Sequence, residues 1–331
     1  MHPTTALFRR NAWATDRLLN WCAQQPSEVT STAAEDVYGS IDGLFNHIAA
    51  AEVRYLYVLT GNAPDGAVNE QDNPQSLKAL PKHIQRSAKR WEELLREDRD
   101  TETLHERTTL RGNRVELPDW VPLAQALHHG DDHRAQVGTL LGRSDKAAPE
   151  LDVWMFLFYC GDLESEPAPA GWAGPLLRRC FEHHLFATRQ VLEAATSLTA
   201  EQLQLETQGT YGSILATLNH LVGADLNYLR RLRHGGRGEP LENASPAELM
   251  ELLERQAAGW RDYLDSEPDF EESLELSDGT YPAWVVVAQA AHHGNDHRTH
   301  VGTTLLHHGL EVPGIDVWAY GDAEGVLRDL A

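Results

Sequence analysis

The sequence predicts an all-α protein made of two tandem four-helix bundles related by a pseudo-two-fold axis. Three observations lead there. The chain repeats itself, its long amphipathic segments lack a βαβ rhythm, and a Pro/Gly/Ala-rich acidic stretch, LESEPAPAGWAGP at 163–175, divides the copies. The domains are therefore expected at 1–162 and 176–331, with 163–175 as linker.

The elements follow in order. NAWATDRLL at 11–19 matches HLFATRQVL at 184–192, inside helices expected over about 3–25 and 172–197. YGSIDGLFNHIAAAEVRYLYVL at 38–59 matches YGSILATLNHLVGADLNYLRRL at 211–232, a second helix that starts near Ser40 and ends before Gly61 in the first copy. A third helix is expected over about 75–97, where charges of both signs recur at helical spacing, and over 245–266. The Thr- and Val-rich stretch around Gly112–Asn113 reads as a short hairpin or an irregular loop. WVPLAQALHHGDDHRAQVGTLL at 120–141 matches WVVVAQAAHHGNDHRTHVGTTL at 284–305, a fourth helix in which Pro122 suits a first turn. LDVW at 151–154 answers IDVW at 315–318.

Composition narrows the function. Lys and Arg number 28 against 50 Asp and Glu, a net charge of −22, which argues against nucleic-acid and anionic-membrane partners. The three cysteines, Cys22, Cys160 and Cys180, include no CxxC, so neither a disulfide framework nor a Cys-rich zinc site is expected. The N-terminus lacks the basic-then-apolar run of a signal peptide, and no apolar run approaches the ~20 residues that span a bilayer. The expectation is a soluble cytoplasmic protein.

The histidines carry the chemistry. On a helix, positions i and i+4 share a face. His129 and His133 therefore point the same way, on a stripe with Ala126, Val137 and Leu140; His293 and His297 do so with Ala290, Val301 and Thr304. The second helix supplies an Asn-His pair at matching positions, Asn46–His47 and Asn219–His220, with small neighbours that leave room on that face. Three neutral imidazoles would leave a divalent ion its full charge and an open position, the pattern of a catalytic rather than a closed structural site. The expected ligands are His47, His129 and His133, then His220, His293 and His297. A packed histidine cluster is the plain alternative.

The remaining histidines read as bystanders. His183 and His184 are expected as surface or interface groups. His128 and His292 are expected behind the ligands or in solvent. Gly130 and Gly294 stand where a zincin has its Glu base, so that protease chemistry lacks a key group. Phosphate-loop, dinucleotide and serine-hydrolase motifs are absent.

A helix-two His, an HxxxHR on helix four and a following LDVW segment resemble the DinB-like superfamily over nearly the whole chain, as two copies. The resemblance implies four-helix bundles that hold one divalent metal per domain on those histidines. Zinc or nickel is expected first, with iron or manganese as alternatives. It also implies Arg134 and Arg298 as the arginines that follow the last ligand. Characterised members include thiol S-transferases that use bacillithiol, mycothiol or glutathione, a thiol-dependent maleylpyruvate isomerase and part of ergothioneine-forming enzymes. Most pair as single-domain homodimers, so two fused copies imply an intramolecular pseudo-dimer that can remain monomeric.

The expected activity is therefore metal-dependent transfer of a small thiol to an electrophile. A hydrolase with metal-activated water and a non-catalytic stress-response binder remain open. Asp132 and Asp296 could orient a ligand ring or take a proton, or be plain helix carboxylates. Arg134 and Arg298 could hold an anionic cosubstrate or form structural ion pairs. Trp154 and Trp318 could close the pocket or cap the core, and Asp152 and Asp316 could cap the turn before them.

Overall fold

The computed structural model describes residues 1–63, 68–71, 73–160, 171–233, 235, 238–276 and 279–330. The first half contains α1 (Pro3–Cys22), the one-turn α2 (Ser27–Thr30), α3 (Ile41–Thr60), α4 (Pro81–Leu95), the hairpin strands β1 (Leu104–Thr108) and β2 (Arg114–Pro118), α5 (Trp120–Arg143) and α6 (Val153–Cys160). The second contains α7 (Ala173–Thr196), the short α8 (Ala200–Leu203), α9 (Ile214–Leu232), α10 (Pro246–Asp265), strands β3 (Ser273–Leu276) and β4 (Gly279–Pro282), α11 (Ala283–His307), α12 (Val317–Ala323) and β5 (Arg328–Leu330). Each half is a four-helix bundle. Residues 163–170 of the segment read as linker lie outside the described residues, and α7 already begins at Ala173 within the rest of it.

Local chemistry explains the boundaries. Ser40 and Ser213 accept a backbone N–H at the starts of α3 and α9, and Gly61 ends α3 in the left-handed region. Ser245 and Glu248 form a reciprocal cap on α10. The third helix of the first half starts at Pro81, about six residues later than the charge pattern suggests, because Gln75 is held outside it by the Asn46 side chain. The stretch around Gly112 is a hairpin, with Leu104 opposite Pro118. The two DVW segments are followed by helices, α6 and α12, that periodicity alone left unassigned. Asp152 and Asp316 cap these helices, accepting from the N–H groups of Met155 and Ala319, rather than the turns before them.

The halves pack through α1 and α5 against α7 and α11. They also exchange their ends. Helix α6 lies on α11 of the second half, and α12 lies on α5 of the first. The Val153 N–H donates to Gln289 Oε1 and the Val317 N–H to Gln125 Oε1, both at 2.9 Å. Strand β5 completes the exchange by pairing with β2.

Beneath this contact each half buries a chain of polar groups. In the first, Arg134 donates to Asn11 (2.7 Å), Asn11 to Glu52 (3.1 Å), and Trp91 Nε1 also donates to Glu52. In the second, Arg298 meets His184 (3.1 Å), His184 faces Asp225 (3.4 Å), and Trp260 donates to Asp225 (2.8 Å). A short Asn with a long Glu is replaced by a longer His with a shorter Asp, so the span is kept.

Burial drives the Glu52 carboxyl up from 4.5 to about 7, against the opposing bonds from Trp91 and Asn11 and the Arg134 charge. Its folded value lies above its unfolded one. Its stabilising contribution is therefore present below pH 4.5 and lost as pH rises toward 7. Glu52→Gln is expected to be nearly neutral at low pH and to stabilise by about 3 kcal/mol at pH 8. Paired denaturant titrations across that range check it; equal shifts at both ends would contradict it.

Candidate metal centres

The fourth helix of each half delivers two histidines and the second delivers one. On α5 and α3, His129 Nε2 lies 3.0 Å from His47 Nε2, and the His133 ring centre is 4.3 Å from that of His129 and 4.8 Å from that of His47. On α11 and α9, His293 Nε2 lies 3.0 Å from His220 Nε2, with ring separations of 4.3 and 4.7 Å to His297. In each cluster one nitrogen per ring lies within 4.8 Å of the others, close enough to hold a metal ion.

The recurring neighbours have local reasons. Asn46 and Asn219 do not face the cluster. Each clamps the segment leading to the third helix, bonding the backbone N–H and C=O of Gln75 or Ala244 and so tying that segment to the helix that carries His47 or His220. The glycine after the first histidine of each pair is a packing requirement. A Cβ at Gly130 would collide with Asn11 Oδ1, and one at Gly294 with the His184 ring. A zincin glutamate could not stand there.

Electrostatics favours neutral rings. Burial lowers the pKa of His47 to about 4, with the His133 charge adding to it and Glu70 opposing. Burial followed by the other histidines takes His129, His293 and His297 well below the ordinary value, and burial lowers His220. Three neutral imidazoles with nitrogens converging on one point are a donor set that fits a borderline divalent ion.

Four tyrosines within the repeated segments also surround the rings. Tyr38 stacks over His47 at 3.9 Å and Tyr211 over His220 at 4.3 Å. Tyr55 and Tyr228 each meet the first histidine of the pair edge-on at 5.6 Å. All four recur inside the matched segments, and that recurrence was the available signal. Glu70 had none: it accepts from His47 Nδ1 at 2.6 Å while pairing with Arg54, and it orients that ring from behind.

Arg134 and Arg298 are not at the centres. Both are fully interior and bond Asn11, Thr15 and Asp131, or His184, Thr188 and Asn295. Of the two roles open for them, holding an anionic cosubstrate or forming structural pairs, their interior bonds fit the structural one, and the residue after a ligand lies about 100° around the helix. His128 and His292 are corrected. They are buried at the contact between halves, facing Asn295 (3.2 Å) and Asp131 (3.1 Å). His183 bonds the Ile315 carbonyl at that contact, and His184 is interior. Asp132 is tied to Thr299 of the other half (2.6 Å) and to Gln136 (3.1 Å). Asp296 lies near His297 and His300.

The pockets beside the two centres have different linings. A pocket of about 800 Å³ opens directly on His220 and His293, lined also by Tyr211, Tyr228, Asn227 and Arg231. Trp154, carried over from the first half, forms part of its wall. The first half has a pocket of similar size that reaches Tyr38, Asn46 and Glu70, but its lining includes none of the three histidines. Trp318 packs 6.4 Å from Tyr55 and lines a separate, smaller pocket.

Comparison with protein families agrees with this arrangement. A model of the DinB family matches residues 1–158, and one of the DinB superfamily matches 184–301. The chain is two DinB-like domains in tandem. DinB proteins generally bind divalent metals, and both histidine clusters are candidate centres for one. A search of curated proteins returned no match. No helix among the described residues of the tandem DinB chain is long and apolar enough to cross a membrane.

Proposed function

We propose that this tandem DinB protein is a metal-dependent thiol S-transferase, with zinc or nickel in each domain and the second domain doing most of the chemistry. The observation that carries the reading is the open pocket on His220 and His293. A divalent ion held by His220, His293 and His297 would supply positive charge that keeps a bound thiol as its thiolate.

The chain's own residues do the rest. Tyr211 and Trp154 offer aromatic walls for an electrophile and keep water from one side. Tyr228, held by Gln289 and pushed up to about 12 by burial, keeps its hydroxyl proton at neutral pH and can donate it to a leaving group. Arg231 offers the pocket a cation for an acidic group on the thiol. The hydrolase reading needs a carboxylate base beside the ligand position. Asp132 is occupied by Thr299 and Gln136, and Asp296 does not line the pocket.

The test uses nickel- and zinc-loaded protein with glutathione, mycothiol and bacillithiol against an activated aryl chloride. Expected are thiol-dependent turnover and, in the nickel form, a thiolate-to-metal absorption band on adding the preferred thiol. Turnover that ignores thiol would replace this reading with the hydrolase. No band and no turnover with any of the three would leave a binding protein.

A further inference from the structure

The third group of metal-capable side chains lies behind the second centre. Asp296, His297 and His300 each place one donor atom within 4.8 Å of the others. His297 Nδ1 and His300 Nδ1 are both buried without a hydrogen-bond partner. Buried ring nitrogens without a protein partner are available as ligand atoms.

The first domain shows what the same positions look like when they are closed. There Gln136 stands where the second has His300. Gln136 Oε1 faces His133 Nδ1 at 3.1 Å, while its amide N–H donates to Asp132. Asp132 is also bound by Thr299. His133 Nδ1, Gln136 and Asp132 each have a partner. Exchanging glutamine for histidine removes that closure and adds a nitrogen ligand beside a carboxylate.

We propose that the second DinB domain holds a further divalent ion on Asp296, His297 and His300, joined to the inner centre through the two nitrogens of the His297 ring. Zinc, nickel or cobalt suits this imidazole–carboxylate set; magnesium and calcium do not. Metal–ligand bonds of about 2.0–2.2 Å would draw the three donor atoms closer together, and Asp296 and His300 are only half-buried. Coordination at both nitrogens requires His297 to release its ring proton to solvent, so loading is expected to release protons. The Asp296 charge offsets part of the added positive charge. The inference rests on the inner three-histidine centre.

Equilibrium dialysis against zinc, with metal counted by plasma mass spectrometry, tests it. Wild type is expected to saturate at three ions per chain. His300→Gln, which copies the first domain, is expected to hold two. His297→Gln is expected to hold one, because a shared ring serves both ions, while the retained first-domain ion and an unchanged circular dichroism spectrum show that the chain is folded. Two ions in wild type, unaffected by His300→Gln, would overturn the outer site and leave the inner centres standing. A third ion retained by His300→Gln would also overturn it. No zinc at all would overturn the inner centres as well.

Discussion

Asp131→Asn is expected to destabilise the chain by about 3–5 kcal/mol, and Arg10→His in the same chain is expected to restore most of it. Asp131 is the anion at the centre of the contact between halves. Arg10 Nη1 binds it, Arg134 donates to it at 2.6 Å, and His292 and Asn295 reach it from the other half at 3.1 and 3.3 Å. Burial opposes its ionisation, yet Arg10, His292 and Arg134 hold its carboxyl well below the ordinary range. Removing the charge leaves two interior guanidiniums without their anion, the costly half of breaking a buried pair. The repeat supplies the repair. The equivalents of Arg10 and Asp131 are His183 and Asn295. Arg10 donates to the Leu151 carbonyl, and His183 bonds the matching Ile315 carbonyl at 2.8 Å. His128 faces Asn295 as His292 faces Asp131. The double variant therefore installs beside Arg134 the His–Asn pair already packed beside Arg298 at the symmetric position. Denaturant titrations of the two single variants and the double should give a coupling energy of up to about 3 kcal/mol. Additive losses would mean that the two positions are not energetically linked.

Much of this architecture was legible because the chain states it twice. Periodicity placed the long helices within a few residues except at the start of α4, and the spacing of His47 against the HxxxH pair identified the clusters, since each requirement recurs at a fixed displacement. The exchange of α6 and α12 between halves was not legible. The short segments after LDVW and IDVW read the same whichever half they pack on, and only Gln125 and Gln289, buried on the fourth helices, decide it by accepting the Val317 and Val153 N–H groups. Arg134 and Arg298 misled because adjacency to a ligand in sequence is a different direction on a helix. Glu70 was invisible because nothing in its own stretch marks it as reaching back to His47. The differences between copies proved as informative as the identities. Asn11–Glu52 against His184–Asp225, and Arg10–Asp131 against His183–Asn295, are paired changes that keep span or charge balance in one interior.

Losing a single ligand from each inner centre is expected to separate their roles. His129→Ala and His293→Ala should each lose the inner ion of their own domain and leave the other in place. With free metal about a thousandfold above Kd, a bound ion adds about 4 kcal/mol to the folded state, so each substitution should lower the melting temperature by on the order of 10 °C, and a chelator should lower that of wild type further. Activity should divide unequally. Among the described residues the second centre has His220 and His293 in the lining of a pocket of about 800 Å³, with Tyr211, Trp154 and Arg231 around it. The first has Tyr38 over His47 and Glu70 behind it, and its neighbouring pocket stops short of the rings. His293→Ala is therefore expected to reduce thiol-dependent turnover by about a thousandfold or more, the several kcal/mol that metal charge contributes to a reacting group. His129→Ala is expected to reduce it by about tenfold or less, with its cost falling on stability. Metal counts, melting curves and turnover on the same preparations read all three. Equal losses of activity would assign equal work to both centres. A larger loss with His129→Ala would place the chemistry in the first domain.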